Sequence, residues 1–139
     1  LADGSAAAVW VNRRQPVPPP PDYDRRLAEA CGEHTGRFQI LDALFDAHHP
    51  VQPHHHLAFL AVRAEQRGTG RGAALISARH ARLDATGLPS YLEAADLRSR
   101  ALYAREGYTP LPSFALPDST ARFHPMWRPP IRLRTPDDT

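Results

Sequence analysis

Three glycines at alternate positions, Gly68, Gly70 and Gly72, are interleaved with Arg67, Thr69 and Arg71 and followed by Ala73. Glycine opens backbone dihedrals closed to other residues and lets a ligand approach the main chain. The apolar run Leu57–Val62 precedes this segment, and an alanine-rich stretch with helical character, Ala73–Ala85, follows it. The turn therefore ends at a helix N-terminus, where unpaired N–H groups and the helix dipole favour an anion. Arg67 and Arg71 add charge-assisted donors. The chemistry implied is a cradle for a pyrophosphate, with the main chain as its principal donor. A plain tight turn and an arginine–glycine contact to nucleic acid are the other readings of the same residues. The spacing is not that of the dinucleotide-binding turn, and a chain whose basic residues are all arginine has no lysine for a Walker-type loop.

A second concentration of reactive side chains is His48, His49, His54, His55 and His56. Metal binding is one reading, but Pro50 and Pro53 interrupt the run, and no cysteine or carboxylate stands at metal-site spacing. A polar loop entering the following strand is another reading; a substrate-facing role for His55 or His56 is a third. Cys31 is the only cysteine, so an internal disulfide and a structural cysteine–zinc site are excluded, and a small buried hydrophobe is expected.

The elements that must position these residues follow from pattern and punctuation. Ala6–Val11 reads as a strand, and the prolines of Pro16–Pro21 as a stiff extended connector. Asp22 or Asp24 can cap a helix carrying Leu27, Ala30 and Cys31, with Gly32 as its stop. Thr35 can cap a second helix, with Phe38, Leu41, Leu44, Phe45 and His48 as an amphipathic stripe. Leu57–Val62 reads as a central strand buried on both faces. Helix 73–85 with Gly87 as stop, strand Ser90–Ala95, helix Ser99–Glu106 ended by Gly107, a strand from Tyr108 and a last strand Phe123–Trp127 complete the order. This is an α/β (α+β) arrangement with at least one strand–helix–strand crossover.

Arg67-Gly-Thr-Gly-Arg-Gly72, with Val62 five residues ahead, resembles the (Gln/Arg)-x-x-Gly-x-(Gly/Ala) signature of the GNAT acetyltransferases. The stretches Pro53 to Val62, Tyr91-Leu-Glu-Ala-Ala95 and Leu102-Tyr-Ala-Arg-Glu-Gly-Tyr108 are similar to the puromycin N-acetyltransferase-like branch, as is the two-helix insertion before the central strand. The resemblance runs from Asp3 to Pro129. It implies a mixed, largely antiparallel central sheet flanked by helices, with the strand and helices that open the family fold missing ahead of Leu1. It implies acetyl-CoA as cofactor, and direct attack by a primary amine of a small molecule on the acetyl group.

Carried over by position, the resemblance makes Tyr103 the general acid and Glu93 the base. Leu60, Ala61 and Val62 would pair with the pantetheine arm and supply the oxyanion donor. Arg67, Gly68, Thr69, Gly70, Arg71, Gly72 and Ala73 would hold the diphosphate. Ser99 stands where the family often has Asn, and keeps a shorter hydrogen-bonding side chain.

Length and composition agree with a single domain: 139 residues, 42% hydrophobic, net charge +2 and pI near 9.1. The expected domain spans 1–128, with 13–53 as proline loop and two-helix insertion, and 129–139 as a loose tail. The expected setting is a bacterial cytoplasm, with a monomer or homodimer and without nucleic-acid or membrane partners. A start at Leu1 rather than Met suggests a partial chain, so a truncated or degenerate member that binds acyl-CoA without turnover is the alternative function. A small nucleic-acid-binding domain is a weaker one, since so small a charge excess gives little long-range field.

Overall fold

The structure is a computed structural model that describes residues 1–132. The tail expected to be loose falls mostly on 133–139, outside the described residues. In its described part, the N–H of Ile131 is held by Asp84 Oδ1 at 2.9 Å.

The strands are β1 (Ala6–Arg13), β2 (His54–Val62), β3 (Ser90–Ala94), β4 (Thr109–Pro110), β5 (Phe114–Ala115) and β6 (Arg122–Arg128). The helices are α1 (Tyr23–Cys31), α2 (Thr35–His48), α3 (Arg71–Thr86) and α4 (Leu97–Arg105). The sheet runs β1-β2-β3-β6-β4, with β5 also on β6, and every pairing except β2–β3 is antiparallel. This is the mixed, mostly antiparallel sheet expected, and the helix order holds as read.

The core lies between the sheet and α3. Leu57, Ile76, Leu92, Ala94, Tyr108 and Met126 form it, with Trp10, Leu60 and Tyr103 packed alongside. Helix α3 earns its place by periodicity: Ile76, His80 and Leu83 are its buried residues, spaced to share one face. Gly70 at φ 80° starts it, and Gly87 at φ 67° ends it by donating to the Asp84 and Leu83 carbonyls. Asp96 caps α4 by accepting from the Ser99 N–H at 2.7 Å.

The opposite face of the sheet is only partly covered. There α2 packs through Phe45 on Phe114 and Phe123, and His48 stacks on Phe114 with 4.0 Å between ring centroids. Thr35 belongs to the helix rather than flanking it, and its hydroxyl donates to the Gly32 carbonyl. Phe38, expected on the packed stripe, is exposed, because the stripe lies on β5–β6 only through its later residues. Asp22 precedes α1 in a left-handed conformation without a side-chain cap.

The central strand is not buried on both faces. Leu57 is 4% exposed, whereas Phe59 is 72% and its cross-strand partner Val9 is 50% exposed. The α3 side is packed and the other side of the β1–β2 ribbon carries no helix among the described residues, so a continuous apolar run here does not mean two covered faces.

Candidate functional site

The glycine segment is bare main chain. Gly68 and Gly70 take φ of 75° and 80°, which a Cβ would strain. Among the described residues, no N–H from Gly68 through Ala73 donates to protein; the first helical bond runs from Ala74 N–H to the Gly70 carbonyl at 2.9 Å. The side chains of the loop brace one another instead. Thr69 Oγ1 donates to the Gln66 carbonyl at 2.5 Å and accepts from Arg71 Nη1 at 3.0 Å. At Gly72 the first turn of α3 rests on the end of β2, where a Cβ would make ordinary contact with Val62 Cγ2 at 3.4 Å and Leu60 Cδ2 at 3.7 Å.

That end of β2 borders a cleft. Strands β2 and β3 pair only at His55–Ser90 and His56–Tyr91, after which they part. A register shift between Val9 and Trp10 leaves Ala58 as an extra residue opposite β1. Its effect on direction can be read from the flanking bonds. His55 N–H points to the β3 side and donates to Pro89 O, whereas Arg63 N–H points to the β1 side and donates to Ser5 O. Strand groups alternate, so one inserted residue reverses the phase and turns the N–H and C=O of Leu60 and Val62 toward the cleft. Ala61 then turns its main chain to β1.

The acid and base candidates flank this cleft. Tyr103 lies on the core side, edge-on to Tyr108 with centroids 5.9 Å apart. Its hydroxyl makes no hydrogen bond to the described residues and is not sealed from solvent. Burial, then the Asp96 carboxylate, raise its pKa above the ordinary phenol value. Glu93 lies on the opposite face, its side chain 10% exposed, with Oε2 2.8 Å from His56 Nε2 and Oε1 buried without a partner. The Tyr91 hydroxyl is also buried without a partner; burial and then Glu93 push that phenol far above its usual range. Ser99 sits in the first turn of α4, with its N–H engaged by Asp96.

The histidines form a connected set that the sequence reading did not assemble. His54–His56 belong to β2 itself rather than to a loop before it, because they pair with Arg13, Asn12 and Val11 of β1. Alternation sends His55 to the α3 side, where Arg79 Nη2 stands 3.3 Å away, and sends His54 and His56 to the other. His49, just past α2, comes down on that face, with its ring centroid 4.9 Å from His54 and 4.8 Å from His56. His54 Nδ1–H donates to the Gln52 carbonyl at 2.6 Å, which leaves Nε2 to accept from His49 Nε2–H at 2.9 Å. Burial, then the proximity of His56 and Arg13, push His49 down to about 4. Among the described residues, no group of three or more His, Cys, Asp or Glu is placed to hold a metal ion. The i, i+2 spacing of His54 and His56 was the signal available; the arrival of His49 from a helix was not.

A separate cavity of about 690 Å³ lies between α2 and the 116–119 segment, lined by Phe38, Ile40, Leu41 and Leu116 among others, away from the cleft. No helix among the described residues is long and apolar enough to cross a membrane.

Comparison with known proteins gives this geometry its context. The sequence model of the acetyltransferase (GNAT) family matches residues 19–108. The chain belongs to the GNAT family. The acetyl donor of these acetyltransferases is acetyl-CoA. A solved structure from Corynebacterium glutamicum, described as histone acetyltransferase HPA2 and related acetyltransferase, is 30% identical over 94% of this GNAT chain, with a TM-score of 0.64. The chain spans 60% of that protein's length. A putative arylalkylamine N-acetyltransferase of the yellow fever mosquito (15% identity, 90% of this chain and 58% of that one, TM-score 0.56) shares the fold. So does an agmatine N-acetyltransferase (15% identity, 88% and 68%, TM-score 0.58). Among curated proteins, none matches. The bared amides, the parted strands and the re-phased edge of β2 fit a long ligand with an anionic end, as the family's donor is.

Proposed function

We propose that this chain binds acetyl-CoA in the cleft between β2 and β3 and catalyses transfer of its acetyl group to a primary amine of a small molecule. The observation that carries the reading is the alignment of two unpaired rows of main-chain donors, the amides of Gly68–Ala73 and the cleft-facing edge at Leu60 and Val62. Acetyl-CoA supplies an acetyl group activated as a thioester. The diphosphate would take the amides from Gly68 to Ala73, with Arg67 and Arg71 adding charge and Thr69 bracing the loop. Leu60 and Val62 would pair with the pantetheine arm as an added strand, and one of their N–H groups would face the thioester oxygen. Ala61 would contribute its small side chain, and Ser99 its hydroxyl at the start of α4.

Tyr103 holds a proton at Oη, kept there at neutral pH by its raised pKa, for the departing sulfur. Glu93 places a carboxylate on the other face of the cleft, where the amine must lose a proton. The two-helix insertion α1–α2 supports placement in the puromycin N-acetyltransferase-like branch and brings His49 to the acceptor side.

The test is a thermal-shift titration of the 139-residue chain with acetyl-CoA, then a primary-amine panel read by release of free thiol. At one hundred times Kd, binding should stabilise the fold by about 2.7 kcal/mol. No shift would remove the cofactor assignment; a shift without thiol release would leave a binding module. Tyr103→Phe should keep the shift and lower thiol release roughly 100-fold or more.

A further inference from the structure

We infer that the proton leaving the acceptor amine is taken by Nδ1 of His56, and that Glu93 acts through His56 as a positioning residue rather than as the base itself. The inference rests on the acetyl-transfer reading and names an atom within it.

His56 stands at the last paired rung of β2 and β3, where the cleft opens, on the face away from α3. Its Nε2 is 2.8 Å from Glu93 Oε2. A carboxylate accepts, so His56 carries its hydrogen on Nε2 and leaves the lone pair on Nδ1. Nδ1 makes no hydrogen bond to the described residues, and it is not among the buried atoms left without a partner, so solvent reaches it. Glu93 is placed otherwise: Oε2 is taken by His56, and Oε1 is sealed from solvent. Of the two groups, the imidazole is the one with a lone pair that is neither bonded to the described residues nor buried.

The groups around His56 are His49 at the end of α2 and Tyr91 and Glu93 from β3, with His54 two residues back on its own strand and Arg13 of β1 opposite His54. His49 is neutral at pH 7, since burial holds it near 4, and its Nε2–H is directed to His54. His49 Nδ1 therefore faces Glu93 Oε1 at 3.9 Å as a second lone pair and cannot satisfy it. Of these, His56 makes the 2.8 Å hydrogen bond to Glu93, with the Tyr91 hydroxyl beside the same carboxylate, and an imidazolium there keeps that bond while its new charge is balanced.

The step conserves atoms and charge. The ammonium N–H bond breaks, His56 Nδ1 gains the proton, and the nitrogen lone pair is freed for attack. As the C–N bond forms and the C–S bond breaks, Tyr103 Oη gives its proton to sulfur, and the acetylated nitrogen gives up its second N–H proton, which restores the Tyr103 phenol through solvent. His56 then returns its proton to solvent and Glu93 remains ionised throughout.

Two measurements test this. Long-range ¹H–¹⁵N spectra of the imidazoles in the ligand-free chain should show neutral His56 as the Nε2–H tautomer. Glu93→Gln should change its tautomer balance. The Nδ1–H tautomer in the wild type would overturn the proposal whether or not any amine turns over. In the thiol-release assay, His56→Gln should keep the acetyl-CoA thermal shift, lower kcat/KM roughly 100-fold or more, and abolish the acidic limb of the pH profile. Glu93→Gln should shift that limb rather than abolish it. Undiminished turnover with the limb intact in His56→Gln would overturn the proposal. Loss of the thermal shift in the wild type would instead strike the cofactor reading.

Discussion

Acid should destabilise this fold through His80, and replacing that one ring should remove a countable proton from the effect. His80 is 4% exposed on the inner face of α3. The Ser90 hydroxyl donates to the Tyr108 hydroxyl at 2.9 Å, so the Tyr108 proton is directed to His80 Nε2, also 2.9 Å away. A proton placed on Nε2 would set two donors against each other. Burial, then the Arg128 guanidinium, hold the ring down to about 4, against some opposition from Asp84. An unfolded histidine titrates near 6.5. Between these values the unfolded chain binds a proton that the folded chain refuses, so stability is present above pH 6.5 and is lost as pH falls toward 4. The slope is about 1.4 kcal/mol per pH unit for one such group, reaching about 3 kcal/mol by pH 4. His49, also near 4, adds a similar amount through the same window. The carboxylates held low, Asp84, Asp96 and Asp3, lose their contribution only as pH falls below their ordinary 3.8 and stay out of it. Urea unfolding at pH 7.5, 6.5, 5.5 and 5.0, followed by tryptophan fluorescence, measures the slope. His80→Gln keeps an acceptor for Tyr108 and cannot titrate, so its slope should fall by one proton. A slope equal to that of the wild type would refute the reasoning.

Further outcomes follow from the geometry of the glycine turn and of the Arg128–Asp84 pair. Gly70→Ala forces a side chain into φ 80°, so it should lower stability by roughly 1–2 kcal/mol, with a larger proportional loss of acetyl-CoA binding in calorimetry. Gly72→Ala, which meets Val62 at an ordinary 3.4 Å, should bind nearly as well as wild type; equal effects of the two would mean the cradle does not depend on the left-handed turn. Arg128→Met should lower stability by about 3 kcal/mol, because it strips the bidentate bonds of 2.8 and 2.9 Å from Asp84 and the bond to the Glu106 carbonyl. Adding Asp84→Asn should restore part of that in the same urea assay, and no recovery would show that the pair is not coupled.

The local facts were legible in the chain. Alternating glycines between an apolar run and an alanine-rich stretch announce bare amides at a helix start, because φ above zero and an uncapped N-terminus are properties of a few adjacent residues. The element order followed from period and punctuation for the same reason. Tertiary structure decided what depends on distant segments meeting. One extra residue at Ala58 re-phased β2, so that Leu60 and Val62, and not Ala61, turn to the cleft. The burial of one face of β2 and the exposure of Phe59 depend on which helix lies against which side, which an apolar run cannot encode. His56 met Glu93 because two strands stay parallel through two rungs before parting, and His49 joined them from the end of α2. Hydrogen bonds across such separations set which nitrogen is bare, and no spacing along the chain records that.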